Sequence, residues 1–197
     1  MNKILLITFI IIAPLICAAQ QTIKRWALQG EALAQTTGAY AESMRIPGLK
    51  RQLNDGRGLQ LNAEYVYAYQ RNGQIFQHVG IMQYYHPQQE KGFSVAAQLG
   101  YRQKISIVFL EALIGAGYLR TTFYDKREFQ NLNGDFYKSR FSIAGFTPSV
   151  AVGVGANVNK ALSTYIRYYH LAQLQSSASV QGIRLHRNLA VGIGLKM

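Results

Sequence analysis

Leu59-Gln60-Leu61-Asn62-Ala63-Glu64-Tyr65-Val66-Tyr67-Ala68-Tyr69 alternates with a period of two. Leu59, Leu61, Ala63, Tyr65, Tyr67 and Tyr69 fall on one face, and Gln60, Asn62 and Glu64 on the other. Successive side chains of an extended strand point to opposite faces, so this stretch reads as a strand with one apolar and one polar side. Phe93, Val95, Ala97, Leu99 and Tyr101 repeat the pattern against Ser94, Ala96, Gln98, Gly100 and Arg102, as do Leu189, Val191, Ile193 and Leu195 against Asn188, Ala190, Gly192, Gly194 and Lys196.

Between turn signals the same alternation predicts strands over 24–35, 58–70, 75–86, 92–103, 105–123, 138–156, 160–173 and 182–196. Arg71-Asn72-Gly73, Gln103-Lys104 and Asn157-Val158-Asn159 read as short turns, Asn-Gly being a strong hairpin signal. Segments 36–57, 124–137 and 174–181 read as longer polar loops, with 87–91 a short connection on their side. Within 36–57, Ala39 to Met44 suits a helical turn and Arg45 to Asp55 a basic irregular stretch, with a membrane-surface role for Arg45, Lys50 and Arg51. Short turns at one end and long loops at the other are the rhythm of a transmembrane barrel. The fold class expected is all-β: a closed antiparallel transmembrane β-barrel of about eight strands.

Composition agrees. Only 15% of residues are charged, well below the roughly one quarter of ordinary globular domains. The N-terminus reads as an export signal, 1–19: Lys3, an apolar run from Ile4 to Ile16, then Cys17-Ala18-Ala19 before cleavage. Residues 20–197 are then the barrel domain, and Cys17, the one cysteine, leaves with the leader, so neither disulfide nor thiolate chemistry is expected. No apolar run after the leader reaches the length of a spanning helix. The expected location is a bacterial outer membrane, where a net charge of +12 points to lipid and lipopolysaccharide phosphates, with an envelope protein as a further partner and no nucleic acid.

Paired glycines at alternate positions (Gly115 and Gly117, Gly153 and Gly155, Gly192 and Gly194) suit tight curvature or space for large lumen side chains. Pro148 removes a ladder donor and predicts a bulge in its strand.

By parity Glu31, Glu64, Arg102, Glu111, Arg167 and Arg184 face inward. A charge facing lipid at mid-bilayer costs roughly 2–4 kcal/mol, and a buried charge needs a partner. A Glu–Arg network across the lumen follows, with Arg167 touching Glu64 or Glu111, and its expected role is structural: it plugs a narrow barrel. His78, His86, His170 and His186 form no metal-ligand pair on one strand face, so neither metal nor cofactor is expected.

Tyr168-Tyr169-His170-Leu171-Ala172-Gln173 resembles the His-x-Ser-Asn motif of the outer-membrane lipid A deacylases. The resemblance implies a lipid-modifying site at His170, but Ala172 stands at the nucleophile's position and Gln173 where Asn is expected. A broader resemblance, over roughly 92–197, is to small outer-membrane barrels of the Bacteroidetes. It rests on the leader ending Ala18-Ala19-Gln20, on Gly115-Ala116-Gly117-Tyr118-Leu119, on Gly134-Asp135-Phe136-Tyr137, on Pro148-Ser149 and Gly153-Val154-Gly155, and on Tyr165-Ile166-Arg167-Tyr168. It implies fold and location and no particular activity. The final Leu195-Lys196-Met197 departs from the terminal aromatic common in such barrels. A structural or interaction role in the envelope is therefore expected, with a deacylase-like enzyme or a narrow channel as the alternatives.

Overall fold

The computed structural model describes residues 25–38, 48–87, 89–130, 136–177 and 180–197. The expected leader, 1–19, the helical turn at 39–44, Arg45 and the motif residues Gly134 and Asp135 lie outside the described residues.

Eight strands form one closed antiparallel barrel in sequence order: β1 (Trp26–Gly38), β2 (Gly56–Tyr69), β3 (Gly73–His86), β4 (Glu90–Ile105), β5 (Val108–Gln130), β6 (Phe136–Asn157), β7 (Leu162–Ser177) and β8 (Val180–Lys196). Closure pairs β1 with β8, from Ala27↔Lys196 to Gly38↔Leu185. A closed barrel leaves no strand edge, so every strand can satisfy its backbone groups on both sides. One short helix, α1 (Leu49–Asn54), lies between β1 and β2. No described helix is long and apolar enough to cross a membrane.

The alternation is turned inside out relative to a water-soluble core. Leu59 is 68% exposed and Ile193 62% exposed on the outer face, while Glu31, Glu64, Glu111, Arg102 and Arg167 are buried in the lumen. Large apolar groups outside and charges within is the arrangement that hydrocarbon demands.

Several boundaries differ from the expected ones. The second turn is Ser106-Ile107, not Gln103-Lys104, because β4 and β5 stay in register down to Ile105↔Val108 and Ser106 takes the left-handed conformation of a two-residue hairpin (φ 60°). The polar segments 124–137 and 174–181 are largely strand: β5 and β6 pair as far as Gln130↔Phe136, across a register shift between Tyr124 and Glu128, and β7 and β8 to Ser177↔Val180. Polarity there marks strands that rise beyond the apolar band rather than loops. In the first loop, Leu49–Asn54 is helical where an irregular stretch was expected.

Two irregularities matter for side-chain placement. A register shift between Val66 and Ala68 pairs Tyr69 with the lumen-facing Gln74. Tyr69 therefore leaves the face of Tyr65 and Tyr67, and stacks under Lys104 at the lumen mouth, with the ammonium 6.0 Å from its ring. Pro148 has no bulge: the β5–β6 register runs through Ala116↔Pro148 unbroken. Instead the β6–β7 ladder stops beside it, Ser149↔Leu171 being the last described pair toward the loop end. The missing N–H ends a ladder rather than bending a strand.

Candidate functional site

All six charges expected in the lumen face it, but they divide into two clusters at different heights.

The larger cluster lies toward the end that carries Trp26 and Met197. Arg102 makes a bidentate contact with Glu64, Nη1 donating to Oε1 at 2.9 Å and Nη2 to Oε2 at 2.7 Å. Its Nε donates to Glu111 Oε2 at 3.0 Å. The guanidinium lies between two rings, 4.4 Å from the centroid of Phe76 and 4.9 Å from that of Phe109. Arg167 is fully buried; its Nε donates to Glu111 Oε1, and its Nη1 to Glu31 Oε1 at 2.5 Å and Gln29 Oε1 at 2.8 Å. Tyr165 lies under it, 3.9 Å from ring centroid to guanidinium carbon. Glu111 thus joins the two arginines into one chain, Glu64–Arg102–Glu111–Arg167–Glu31. Tyr169 OH at 2.9 Å and Asn62 Nδ2 at 3.0 Å complete the shell of Glu31. His78 Nε2 and Gln29 Nε2 sit 2.9 and 2.6 Å from Glu64 Oε2. Charge-assisted, multiply satisfied contacts of this kind are what make buried ions tolerable.

Gly153 shows how closely the chain of charges is fitted. A Cβ there would lie 2.8 Å from Arg167 Cγ and 3.0 Å from Glu111 Oε1, so glycine leaves the room in which the two side chains meet.

Arg184 stands apart. It pairs not with Glu31, Glu64 or Glu111 but with Glu90, its Nη2 2.5 Å from Oε2, in a second cluster toward the loop end. Tyr84 OH donates to Glu90 Oε1 at 2.8 Å. Beside them His186 Nδ1 lies 3.1 Å from Gln35 Nε2, and its Nε2 3.3 Å from Gln173 Oε1. Glu90, Tyr84, Gln35, Gln173 and His186 were not among the expected site residues. Because Arg184 keeps partial exposure while Glu90 is fully enclosed, Arg184→Gln is expected to cost about 1–3 kcal/mol, the penalty of a buried acceptor left short of its partner. Chemical denaturation of the purified chain measures it, and no change would show that Tyr84 alone satisfies Glu90.

Between the clusters a cavity of about 20 Å³ is lined by Met82, Leu171, Gln98, Ser149 and Asn188 among others, room for about one water. No group of three or more metal-ligating side chains occurs among the described residues.

His170 lies on the outer face of β7, its ring 5.0 Å from that of Tyr168 in an edge contact. Its cross-strand partners are Val150 and Arg187, and Ala172 is paired with Leu185. These pairings supply no hydroxyl nucleophile.

No family model matches the chain, and no curated protein matches it. Among solved structures, neisserial surface protein A (NspA) is 15% identical, with 87% of this chain and 97% of that one covered and a TM-score of 0.57. Ail, the attachment invasion locus protein of Yersinia pestis, is 12% identical, with 89% and 100% covered and a TM-score of 0.56. Its complex with the heparin analogue sucrose octasulfate is 13% identical, with the same shares covered and a TM-score of 0.50. At these identities the likeness is one of fold: the chain is a closed eight-stranded antiparallel barrel similar to small barrels of bacterial outer membranes.

Proposed function

We propose that this chain is an integral protein of a bacterial outer membrane whose lumen is filled by its own charge network and whose work is done by its surface, through contacts with lipid and envelope partners. The observation that carries the reading is the inversion of polarity, apolar side chains outside and paired charges inside. The loop end then lies away from the cell and the end that carries Trp26 and Met197 toward the periplasm, as the short turns suggest.

The outer face supports a phosphate-bearing partner. On four strands the outward apolar series ends in a cation toward the loop end: Leu61 and Leu59 before Arg57, Val95 and Phe93 before Lys91, Ile114 and Tyr118 before Arg120, and Val191 and Leu189 before Arg187. Among the strand residues whose side chains are described, no carboxylate faces outward. A cationic girdle at the headgroup level attracts lipid phosphate. Ail, whose fold is similar, has been solved with a polysulfated sugar, a ligand of the same charge type.

Outer-membrane enrichment on fractionation, with faster gel migration before boiling than after, is the expected result. A soluble chain with no heat shift would overturn the reading. In planar bilayers the purified chain is expected to stay at background conductance, and steady ohmic steps would argue for a channel.

A further inference from the structure

We infer that Arg187 is the centre of a built binding site for the phosphate of an outer-leaflet lipid headgroup, an inference that rests on the membrane reading above. The alternation of β8 is clear here: His186 contacts Gln35 and Asn188 contacts Met82 in the lumen, so Arg187 between them faces outward. It follows the outward series Leu195, Ile193, Val191 and Leu189, at the upper edge of the apolar band.

The other cations of the girdle, Arg57, Lys91 and Arg120, are exposed, as surface charges usually are. Arg187 is only 5% exposed. Its Nε and Nη2 are both enclosed and find no hydrogen-bond partner among the described residues. Those two atoms form one edge of the planar guanidinium, the fork that matches two oxygens of a phosphate. An enclosed cationic fork without an acceptor is costly, and one anion placed against it removes the cost.

The surroundings are polar and similarly unsatisfied. Thr36 and His170 flank Arg187 on the neighbouring strands, and Tyr168 packs against His170. Thr36 Oγ1 and Tyr168 OH are buried and also lack partners among the described residues. Gln52 of α1 reaches the backbone here, its Nε2 donating to Ala34 O at 2.6 Å and to Arg187 O at 3.1 Å. The helix is thereby tied to the β1–β8 seam, with Lys50 and Arg51 exposed beside the site.

The described carboxylates do not serve as the anion. Glu31, Glu64, Glu90 and Glu111 are engaged in the lumen, and Asp55 lies 3.6 Å from Arg51. Two hydroxyls on the flanking strands and a side-on fork, all without partners among the described residues, suit a tetrahedral oxyanion, and the outward side of the sheet makes the headgroup its source.

The test titrates the purified full chain in neutral detergent with lipid A bearing its phosphates, with phosphate-stripped lipid A and with inorganic phosphate, reading bound lipid by native mass spectrometry. Wild type is expected to prefer the phosphorylated lipid. Arg187→Gln should weaken that binding by about tenfold or more, since it removes a bidentate charged contact. Arg187→Lys, which keeps the charge without the fork, should recover only part of it. Lys160→Gln, exposed in the short turn at the opposite end of the barrel, should stay within about threefold of wild type. Heat-modifiable migration of each variant reports the fold separately. Arg187→Gln with an intact heat shift and wild-type affinity overturns the site. Equal binding of phosphate-stripped lipid overturns the phosphate, and competition by inorganic phosphate at the lipid's own concentration overturns the lipid source. A wild-type chain with no heat shift overturns the membrane reading itself.

Discussion

Arg167→Met is expected to destabilise the barrel by about 3–5 kcal/mol. The side chain is fully buried and bridges Glu111 to Glu31, which share no other cation equally: Arg102 also reaches Glu111, but Glu31 has Arg167 as its one ion-pair partner among the described residues. Methionine fills the stem of the side chain and leaves a carboxylate enclosed with only Tyr169, Tyr165 and Asn62 to hold it. Urea unfolding followed by the fluorescence of Trp26, the single tryptophan, measures the loss. The double variant Arg167→Met, Glu31→Gln is expected to recover part of it, because it removes the uncompensated charge. A loss below about 1 kcal/mol would mean that water already reaches this cluster.

Phe76→Ala is expected to cost about 3–5 kcal/mol. The ring is fully buried in the lumen wall and packs where Gly100 leaves space, an added Cβ there lying 2.3 Å from it. It also forms one side of the sandwich around Arg102 and lies 4.9 Å from the ring of His78. Truncation therefore opens a void and strips one face from a buried cation, which Phe109 continues to cover on the other side. The same denaturation assay reads it. A cost near that of an exposed aromatic would show that the wall collapses onto Arg102 without strain.

Period-two alternation made the barrel legible, because a strand's faces are fixed by parity over its whole length. Glu64 could be assigned to a face from its strand neighbours Leu59 and Leu61 alone. Partners were harder, since they depend on how strands are staggered around the cylinder. Arg184 illustrates this: it meets Glu90, which sat in a segment read as a connection and so carried no face. Tyr69 failed differently, because the shift between Val66 and Ala68 reverses parity and leaves no mark in composition. Pro148 was legible as a missing donor, but not on which side of its strand the gap would fall. The fork of Arg187 was invisible for a related reason. A cation at the end of an apolar run looks the same in sequence whether it is exposed, like Lys91, or enclosed.

The chain of charges also dictates an order of assembly. Only Arg102 and Glu111 belong to a single hairpin, as direct cross-strand neighbours in β4 and β5. Arg167 on β7 meets Glu31 on β1 with β8 between them, so their contact exists only when the first and last strands have joined. A sheet still open at that seam leaves Glu31 without its cation, at several kcal/mol for an enclosed ion, while Arg167 keeps only Glu111. In the membrane proposed above, entry into the bilayer and closure of the ring are therefore expected to be coupled: the network acts as a latch that makes a half-inserted barrel expensive.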